Sequence, residues 1–511
     1  MKKKLLATLA LALTLVLCLL PATALAKEWD LANGDVVVYT ENGKQYVSQA
    51  GDAELDADPT VTTGGAQVNN KRIIVESRDG ATVNLALQDV VVVNNINILH
   101  IQGDTAAVVT LVNDNSLKVI SNWIPDAAVH VSSGSLTIAG SGTLDVKTNG
   151  VGAGIGSGED EDFTGTVHIT DSAQVDVTVM NDDNGGAAIG SGESGDFKGQ
   201  VRIDGNANVT AGGAASDDSP CGGAAIGAGD SGDFDGSVVI GGSATVDATG
   251  RADSAAIGSA MDGSFSGGSI VIQDNANVTA RGNGEGTAIG AADDEAMEGT
   301  IRITGNALVF VQGGDEDGDE VADIGMEGYG KKGEGAIEIS GSAKVVKIDG
   351  STLIIGNEHA HRPSNIQITL GKNVTLNGVS GADVLAGNGG DAVQINSTLP
   401  VETAVEEPAE VYYAQGEAFR VVDKDGNDVA YDKTLEGGVL TITAPKGAKL
   451  TGALEEMQLL STKGAIELRF GTSVLPIAEL YHGVGMQGDT VVLTRNGKLT
   501  IGGEDYSELL K

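Results

Sequence analysis

The chain has 511 residues, with 75 Gly, 9 Pro and few aromatic residues (7 Phe, 8 Tyr and 2 Trp). This composition gives many turns and few bulky core residues, which argues against a helical bundle. Hydrophobic residues make up 41% of the chain and charged residues 20%, so it has enough apolar material to bury and does not match an acidic disordered protein. The net charge of −40 would repel nucleic acid and anionic lipid, and it favours cations as partners.

Residues 1–26 are predicted to be an export signal. Lys2 to Lys4 precede an apolar run from Leu5 to Leu20, and Ala24-Leu25-Ala26 supplies a small-x-small cleavage site. Cys18 lies inside the apolar run, which leaves lipid anchoring as an alternative. We therefore expect a secreted, extracellular protein that can also associate with the cell surface.

Cys221 is then the single cysteine of the processed chain, so an internal disulfide cannot form. Stability outside the cell must come from backbone pairing and packing. No later apolar stretch reaches the roughly 18 residues that a membrane span needs, so membrane insertion is not expected.

Residues 27–59 are predicted to form an N-terminal cap that contains a hairpin. Two alternating segments, Val36 to Tyr39 and Gln45 to Ser48, flank Asn42-Gly43, which is a strong hairpin signal. A cap over the first unit of a repeat would protect an edge that otherwise invites aggregation.

A repeat dominates the middle of the chain. An Ile-Gly pair recurs every 31 to 37 residues, and five copies carry Phe or Met eight residues after the Ile. An alternating apolar pair follows, and a second short apolar segment comes eight residues later. The Ile positions are Ile155, Ile189, Ile226, Ile257, Ile289 and Ile324, and the aromatic positions are Phe163, Phe197, Phe234 and Phe265, with Met297 in the fifth copy.

The eight-residue step extends outward to ten copies, which start at residues 83, 109, 136, 167, 201, 238, 270, 301, 337 and 366. Strands this short are marginal until neighbouring copies cover them, and one circuit of about 30 residues is long enough to connect parallel strands. Residues 60–398 are therefore predicted to form an all-β parallel β-helix, or solenoid, of about ten coils.

Stacked coils would align equivalent residues in columns. We expect the Phe column to serve packing, with sugar stacking as the alternative. A Ser/Asn column is expected to be a turn device or a hydrogen-bonded ladder, and its members are Ser172, Asn206, Ser243, Asn275, Asn306 and Ser342.

Composition changes near Leu399-Pro400. Residues 399–410 are rich in Glu and Pro and are predicted to be a linker. Residues 411–511 show further β patterns, such as Val439 to Thr443, and are predicted to form a separate small β-rich module of unknown role.

Acidic loops lie between the Ile-Gly pairs and the Phe positions. Stacking would bring their carboxylates within about 5 to 10 Å of one another, where they repel unless they are solvated or bridged by a cation. Calcium is the plausible extracellular bridge, and the alternative is a solvated acidic face that keeps the rod soluble. The candidate ligands in these loops are Asp162, Asp196 and Asp233.

A second calcium candidate is the segment from Asp315 to Asp323. Its acidic residues at alternate positions, Asp315, Asp317, Asp319 and Asp323, resemble an Asp-x-Asp-x-Asp-Gly calcium loop. The segment departs from that pattern because Glu320 takes the place of the turn glycine and Met326 stands where a bidentate Glu would close the site.

The sequence contains no nucleophile elbow, zinc-protease helix or phosphate loop. Paired carboxylates are too abundant to identify a glycosidase. A regular repeat also argues mildly against an enzyme, because an active site usually needs groups that break the pattern.

The segments Thr82-Val83-Asn84-Leu85-Ala86-Leu87 and Asn115-Ser116-Leu117, followed by serial Ala-Ala-Ile-Gly-Ser-Gly and Gly-x-Val-x-Ile units, resemble a known family. It comprises the secreted carbohydrate-binding β-helix proteins of clostridia and related Gram-positive bacteria, whose fold is similar to that of pectate lyases. The resemblance covers roughly residues 60 to 395 and implies calcium and plant cell-wall polysaccharide as ligands. It transfers no individual binding residue.

These observations favour a secreted, non-catalytic protein that binds a polysaccharide or cell-wall glycan, with calcium as the candidate cofactor. A structural or adhesive surface protein is the first alternative. A polysaccharide lyase or hydrolase is the second. The glycan and the oligomeric state stay open.

Overall fold

The structure is a computed structural model that divides into two compact units, residues 1–401 and 402–511. The predicted signal 1–26 and linker 399–410 lie outside the described residues. The described residues are 27–121, 124–180, 185–213, 222–292, 295–316, 319–326, 333–357, 366–384, 392–395, 419–424, 429, 431–436, 439–454, 457, 460, 467–477, 480 and 490–511.

The first unit is built from three long sheets. Sheet A has 12 strands, and every neighbouring pair is parallel. Its strands are Glu28–Asp30, Thr60–Thr62, Val83–Gln88, Ala106–Val112, Ser135–Gly140, Thr166–Ile169, Gln200–Ile203, Ser237–Ile240, Ser269–Ile272, Thr300–Ile303, Ala336–Ile339 and Gln367–Leu370.

Sheet B has 14 strands and contains the Ile-Gly pairs. In sheet order they are Asp52–Leu55, Lys44–Gln49, Val36–Glu41, Ile73–Ser77, Leu99–Gln102, Val129–His130, Ile155–Gly156, Ile189–Gly190, Ile226–Gly227, Ile257–Gly258, Ile289–Gly290, Ile324–Met326, Leu353–Asn357 and Ala392–Ile395.

Sheet C has 12 strands. In the regular coils, the strand in sheet C starts eight residues after the start of the strand in sheet A. In chain order they are Val68–Asn69, Val91–Asn94, Asp114–Val119, Thr143–Thr148, Gln174–Val179, Asn208–Gly213, Thr245–Thr249, Asn277–Arg281, Leu308–Gln312, Lys344–Lys347, Thr375–Leu376 and Val379–Ser380. The three parallel sheets have the arrangement of a parallel β-helix, as the repeat predicted.

Alternation explains why these short segments form strands. In the strand Thr166–Ile169, Val167 and Ile169 are fully buried, while Thr166 and His168 are only partly buried. The same inward and outward alternation recurs in the other coils, and the inward side chains of all three sheets form one continuous core. Neighbouring coils therefore supply the burial that a four-residue strand cannot reach alone.

The glycine of each Ile-Gly pair is required by close packing. Six of these glycines have φ between +135° and +149°, a conformation that L side chains rarely adopt. A Cβ atom at any of them would collide with the carbonyl oxygen of the equivalent glycine in the next coil. They are Gly156, Gly190, Gly227, Gly258, Gly290 and Gly325.

Antiparallel pairs occur near both ends of the stack. Val36–Glu41 and Lys44–Gln49 form the hairpin that the sequence indicated, with positive φ at Asn42 and Gly43. At the other end, Ala392–Ile395 pairs antiparallel with Leu353–Asn357. Among the described residues of this unit, short helices span Leu31–Asn33 and Gly381–Val384.

The second unit contains two mainly antiparallel sheets around its own core. The first has Arg420–Val422, Lys449–Ala453, Thr490–Thr494, Leu499–Ile501 and Glu504–Asp505. The second has Asp432–Glu436, Val439–Thr443, Glu467–Phe470 and Ser473–Pro476, and a 3-10 helix spans Ser507–Leu509. In the described part of both units, no helix has the length and apolar character needed to cross a membrane.

Candidate functional site

A shallow polar groove runs along the β-helix at the edge where the chain enters sheet A. It has a volume of about 550 Å³ and crosses four successive coils. Each coil contributes three consecutive residues with glycine in the middle. The lining segments are 164–166, 198–200, 235–237 and 267–269.

Close contact with the preceding coil explains why the middle residue of each lining segment is glycine. A Cβ atom at Gly199 would lie 2.7 Å from the Phe163 ring, and Gly236 and Gly268 have the same relation to the Phe rings of their preceding coils. Each of these Cβ atoms would also lie 2.2 to 2.5 Å from the carbonyl oxygen of the equivalent glycine in the preceding coil. The ring and the backbone of the preceding coil together leave no room for a larger residue at these positions.

The Phe rings themselves are fully buried. Phe163, Phe197 and Phe234 are stacked with centroids 5.3 and 4.9 Å apart, and Phe265 meets Phe234 edge-on at 4.7 Å. The expected packing role is confirmed. Their burial excludes them as a platform for sugar rings.

Side chains with hydroxyl and amide groups border the groove. Thr166, Gln200, Ser237 and Ser269 form one row, and the hydroxyl of Ser269 donates a hydrogen bond to that of Ser237 at 3.3 Å. The backbone amides beneath them are already used, since each bonds a carbonyl of the preceding coil. At the usual strand spacing, four coils give a row about 15 Å long. Ligand recognition here would depend on side chains.

Lys198 joins this groove to the acidic loops. Its Nζ atom lies 2.7 Å from Asp162 Oδ2 and 2.8 Å from Asp196 Oδ2. These hydrogen bonds raise the pKa of Lys198 above its ordinary value. Burial opposes ionisation of Asp196, but hydrogen bonds from Lys198 and from the Asp233 amide lower the pKa of Asp196 overall.

The loop carboxylates predicted as calcium ligands form a ladder along the rod. Asp162 Oδ1 accepts the backbone N–H of Asp196, Asp196 Oδ1 accepts that of Asp233, and Asp233 Oδ1 accepts that of Ser264. The distances are 3.1, 3.1 and 2.9 Å. Each carboxylate thus ties its loop to the loop of the next coil.

Asp230 is a buried carboxylate of these loops, as is Glu295 in the fifth copy. It is 4% exposed, and its Oδ1 atom accepts no hydrogen bond from the described part of the chain. Burial raises the pKa of Asp230 to about 7, and the charges of Glu193 and Asp262 add to the rise, while Arg251 opposes it.

The second predicted calcium segment is not brought together with the loops as one site. Asp315–Glu316 and Asp319–Glu320 pair as a small antiparallel hairpin, and Asp317 lies outside the described residues. Asp323 is fully buried, and its Oδ1 atom lies 2.8 Å from Lys347 Nζ. Burial raises the pKa of Asp323 to about 6, although Lys347 and two backbone amides act in the opposite direction.

A histidine cluster on the outer face of sheet B gave no signal in the sequence. His130 Nε2 lies 2.9 Å from Glu161 Oε2, and His130 Nδ1 lies 3.8 Å from Asp126 Oδ1. The hydrogen bond with His130 is the main reason that the pKa of Glu161 is lowered to about 2. Burial lowers the pKa of His100, which packs edge-on against His130. His100 and His130 occupy equivalent positions in neighbouring coils, but the later coils have the glycine of the Ile-Gly pair at that position, so no long periodic pattern marks the cluster.

Within the described ranges, no three His, Cys, Asp or Glu side chains are grouped so that they could hold a metal ion. Calcium binding by Asp162, Asp196 and Asp233, and by the segment from Asp315 to Asp319, stays a prediction, whereas the Asp323 carboxylate is held by Lys347 and two backbone amides. No family model, curated protein or solved structure matches this chain.

Proposed function

We propose that the protein is a secreted, non-catalytic carbohydrate-binding protein, and that a β-helix of about ten coils presents the polar groove to a polysaccharide. The observation that carries the proposal is the row of Thr166, Gln200, Ser237 and Ser269 above a glycine floor. Hydroxyl and amide groups can both donate and accept hydrogen bonds, as a sugar hydroxyl requires. Their repeat along the rod suits a linear ligand whose units also repeat.

The charges around the groove favour a neutral glycan over an acidic one. Asp235 lines the groove, and Asp162 and Asp196 flank it through Lys198, whose charge they already neutralise. A uronate or phosphate group would meet excess negative charge there. The row of hydroxyl and amide side chains is about 15 Å long, which is enough for roughly three or four pyranose units at the strand spacing.

The proposal includes calcium as a ligand of the acidic loops beside the groove. A divalent cation would relieve the repulsion among carboxylates that stack from coil to coil. It would compete with Lys198 for Asp162 and Asp196, so calcium would act on the wall of the groove. The cap, residues 27–59, and the module, residues 411–511, complete the proposed architecture without an assigned role in binding.

The test is retention of the purified protein on a panel of insoluble neutral and acidic polysaccharides, with calcium and with chelator. We expect retention on at least one neutral polysaccharide. Ser237→Trp should reduce it at least tenfold, because Ser237 projects outward into the groove and a large side chain would fill it.

The matched control is Val239→Trp. Val239 is two residues further along the same strand and also faces outward, but it does not line the groove. Unchanged retention of this variant would place binding in the groove. Absence of retention across the panel, or equal loss in both variants, would contradict the proposal.

A further inference from the structure

Asp323 and Lys347 break the repeat in the interior of the β-helix. Positions equivalent to Asp323 hold Ala in the four preceding coils, and positions equivalent to Lys347 hold Val or Ala in the five preceding coils. The replaced residues are Ala188, Ala225, Ala256 and Ala288 in one column, and Val177, Ala211, Ala248, Ala280 and Val311 in the other. Both exceptions occur in the same coil, and they contact each other.

The contact is shielded from water. The side chains of Lys347 and Asp323 are 1% and 0% exposed, and Lys347 Nζ lies 2.8 Å from Asp323 Oδ1. Two backbone amides also hold the carboxylate, from Gly313 to Oδ1 at 2.8 Å and from Ile354 to Oδ2 at 2.9 Å. The carboxyl carbon is therefore fixed beside the amine.

A buried ion pair is costly because both charges lose their hydration. Transfer of one proton from the Lys347 ammonium to Asp323 Oδ1 would convert the pair into a neutral amine and a neutral carboxylic acid. These are the forms of the two groups that react with each other. A neutral amine is a nucleophile, and an uncharged carboxyl carbon is a better electrophile than that of a carboxylate.

We propose that Lys347 and Asp323 are joined by an isopeptide bond between Nζ and Cγ. The neutral amine attacks Cγ, and the oxyanion that forms on Oδ2 is stabilised by the N–H of Ile354. A second proton passes from the nitrogen to the Oδ1 hydroxyl, the Cγ–Oδ1 bond breaks, and one water molecule leaves. The reaction needs no oxidant or reductant, and one N–C bond replaces one C–O bond.

The bond would link the corner before sheet B to sheet C. It lies close to the point where antiparallel pairing with Ala392–Ile395 ends the parallel stack. A covalent link at this place would restrain the end coils of the rod. It also suits a chain in which Cys221 is the single cysteine beyond the predicted signal.

The test is the mass of the full-length purified protein, followed by tryptic peptide mapping. We expect a mass one water molecule lower than the mass calculated for the purified chain, which is counted from residue 27 when the predicted signal has been removed. We also expect no cleavage after Lys347, and a branched peptide that joins the segments containing Asp323 and Lys347. Lys347→Arg should restore the full mass calculated for that variant.

The matched control is Lys344→Arg, because Lys344 is exposed on the same strand and should leave the loss of water unchanged. Because the decisive reading is made on the unaltered chain, it does not depend on whether a variant folds. Full sequence mass with complete cleavage after Lys347 would overturn the proposal. So would loss of water at a different pair of residues.

Discussion

The corner loops and the C-terminal coils of the β-helix hold their carboxylates in opposite ways. In the loops, Asp162 and Asp196 stay at the surface, accept backbone N–H groups of the next coil and share one exposed lysine. In the C-terminal coils, Asp323 is buried and faces a buried lysine. Aspartate therefore links neighbouring coils at the surface in the loops, whereas in the C-terminal coils it contacts a buried lysine in the interior.

The difference shows how strongly burial changes the role of a carboxylate in a repeat. A loop aspartate can lose its partner and still be solvated, so each contact there is worth little. An interior aspartate has no such alternative, and its partner becomes indispensable. Asp230 lies between the two cases because it belongs to a loop but is only 4% exposed.

The largest effect should come from breaking the buried pair. Asp323→Ala leaves Lys347 as an uncompensated interior charge, which alone should lower the free energy of unfolding by about 3 to 5 kcal/mol in a denaturant titration, and loss of the proposed bond adds to this decrease. Adding Lys347→Val restores the residue types of the preceding coil and should recover the part of this loss that is due to the lone charge. Loss of the proposed isopeptide bond would leave a deficit of roughly 3 kcal/mol in the double variant, on a chain-entropy estimate.

The control for this comparison is Asp162→Ala in the loops, where we expect a loss of less than about 1 kcal/mol. Equal losses at Asp162 and Asp323 would contradict the distinction between the two regions. If the chain lacks the isopeptide bond, the double variant should be more stable than Asp323→Ala. Equal stability of the two variants would show that the buried Lys347 charge does not cause the loss of stability in Asp323→Ala.

Asp230 should give the next largest effect, and the size of this effect depends on pH. Its pKa is raised to about 7, so the folded state keeps a proton that the unfolded state releases above its ordinary pKa near 4. The folded state is therefore favoured least at high pH, and wild-type stability falls as the pH rises from about 4 to 7. Asp230→Asn should be more stable than wild type by about 2 to 4 kcal/mol at pH 8, with the gain absent near pH 4.

Thermal or denaturant unfolding at both pH values measures this effect. Asp262→Asn is the matched control, because it removes one repelling charge and leaves Asp230 in place. It should give a smaller gain at pH 8. A pH-independent difference between wild type and Asp230→Asn would show that the Asp230 carboxyl does not titrate in this range.

The parallel stacking could be predicted from the sequence because it depends on periodic features. The Ile-Gly pair recurs because its glycine packs against the equivalent glycine of the next coil. The eight-residue step recurs because it separates the start of a strand in sheet A from the start of the next strand in sheet C. Each feature appears in several copies, so one irregular copy does not hide it. The packing role of Phe163 and its equivalents followed from the same regularity.

The groove and the buried pair could not be predicted in the same way. The groove depends on which face of the Phe stack the glycines cover, as at Gly199 over Phe163, and spacing alone does not give that direction. Asp323 belonged to an acidic run, and its contact with Lys347 spans two sheets. The sequence shows that both residues are exceptions, but only the fold brings them together.

The smallest effect should come from Lys198, and it tests the loop side of the comparison most directly. Lys198→Met keeps much of the side-chain stem and removes the charge shared by Asp162 and Asp196. Because Lys198 is 41% exposed, water and salt replace most of what is lost, so the change in the free energy of unfolding should be smaller than for Asp230→Asn. The remaining difference should shrink further in 1 M salt, where the screening length falls to about 3 Å.

A pH series separates this effect from loss of packing. Since the pKa of Lys198 is raised in the folded state, its contribution is present at neutral pH and is lost as the pH rises through that raised value. The variant should therefore converge with wild type at high pH, and the pKa of Asp196 should return towards its ordinary value, as NMR titration can measure. A loss that persists at high pH and in high salt would mean that the Lys198 stem holds the loops together, and the surface ladder would then resemble the buried pair more closely than its exposure indicates.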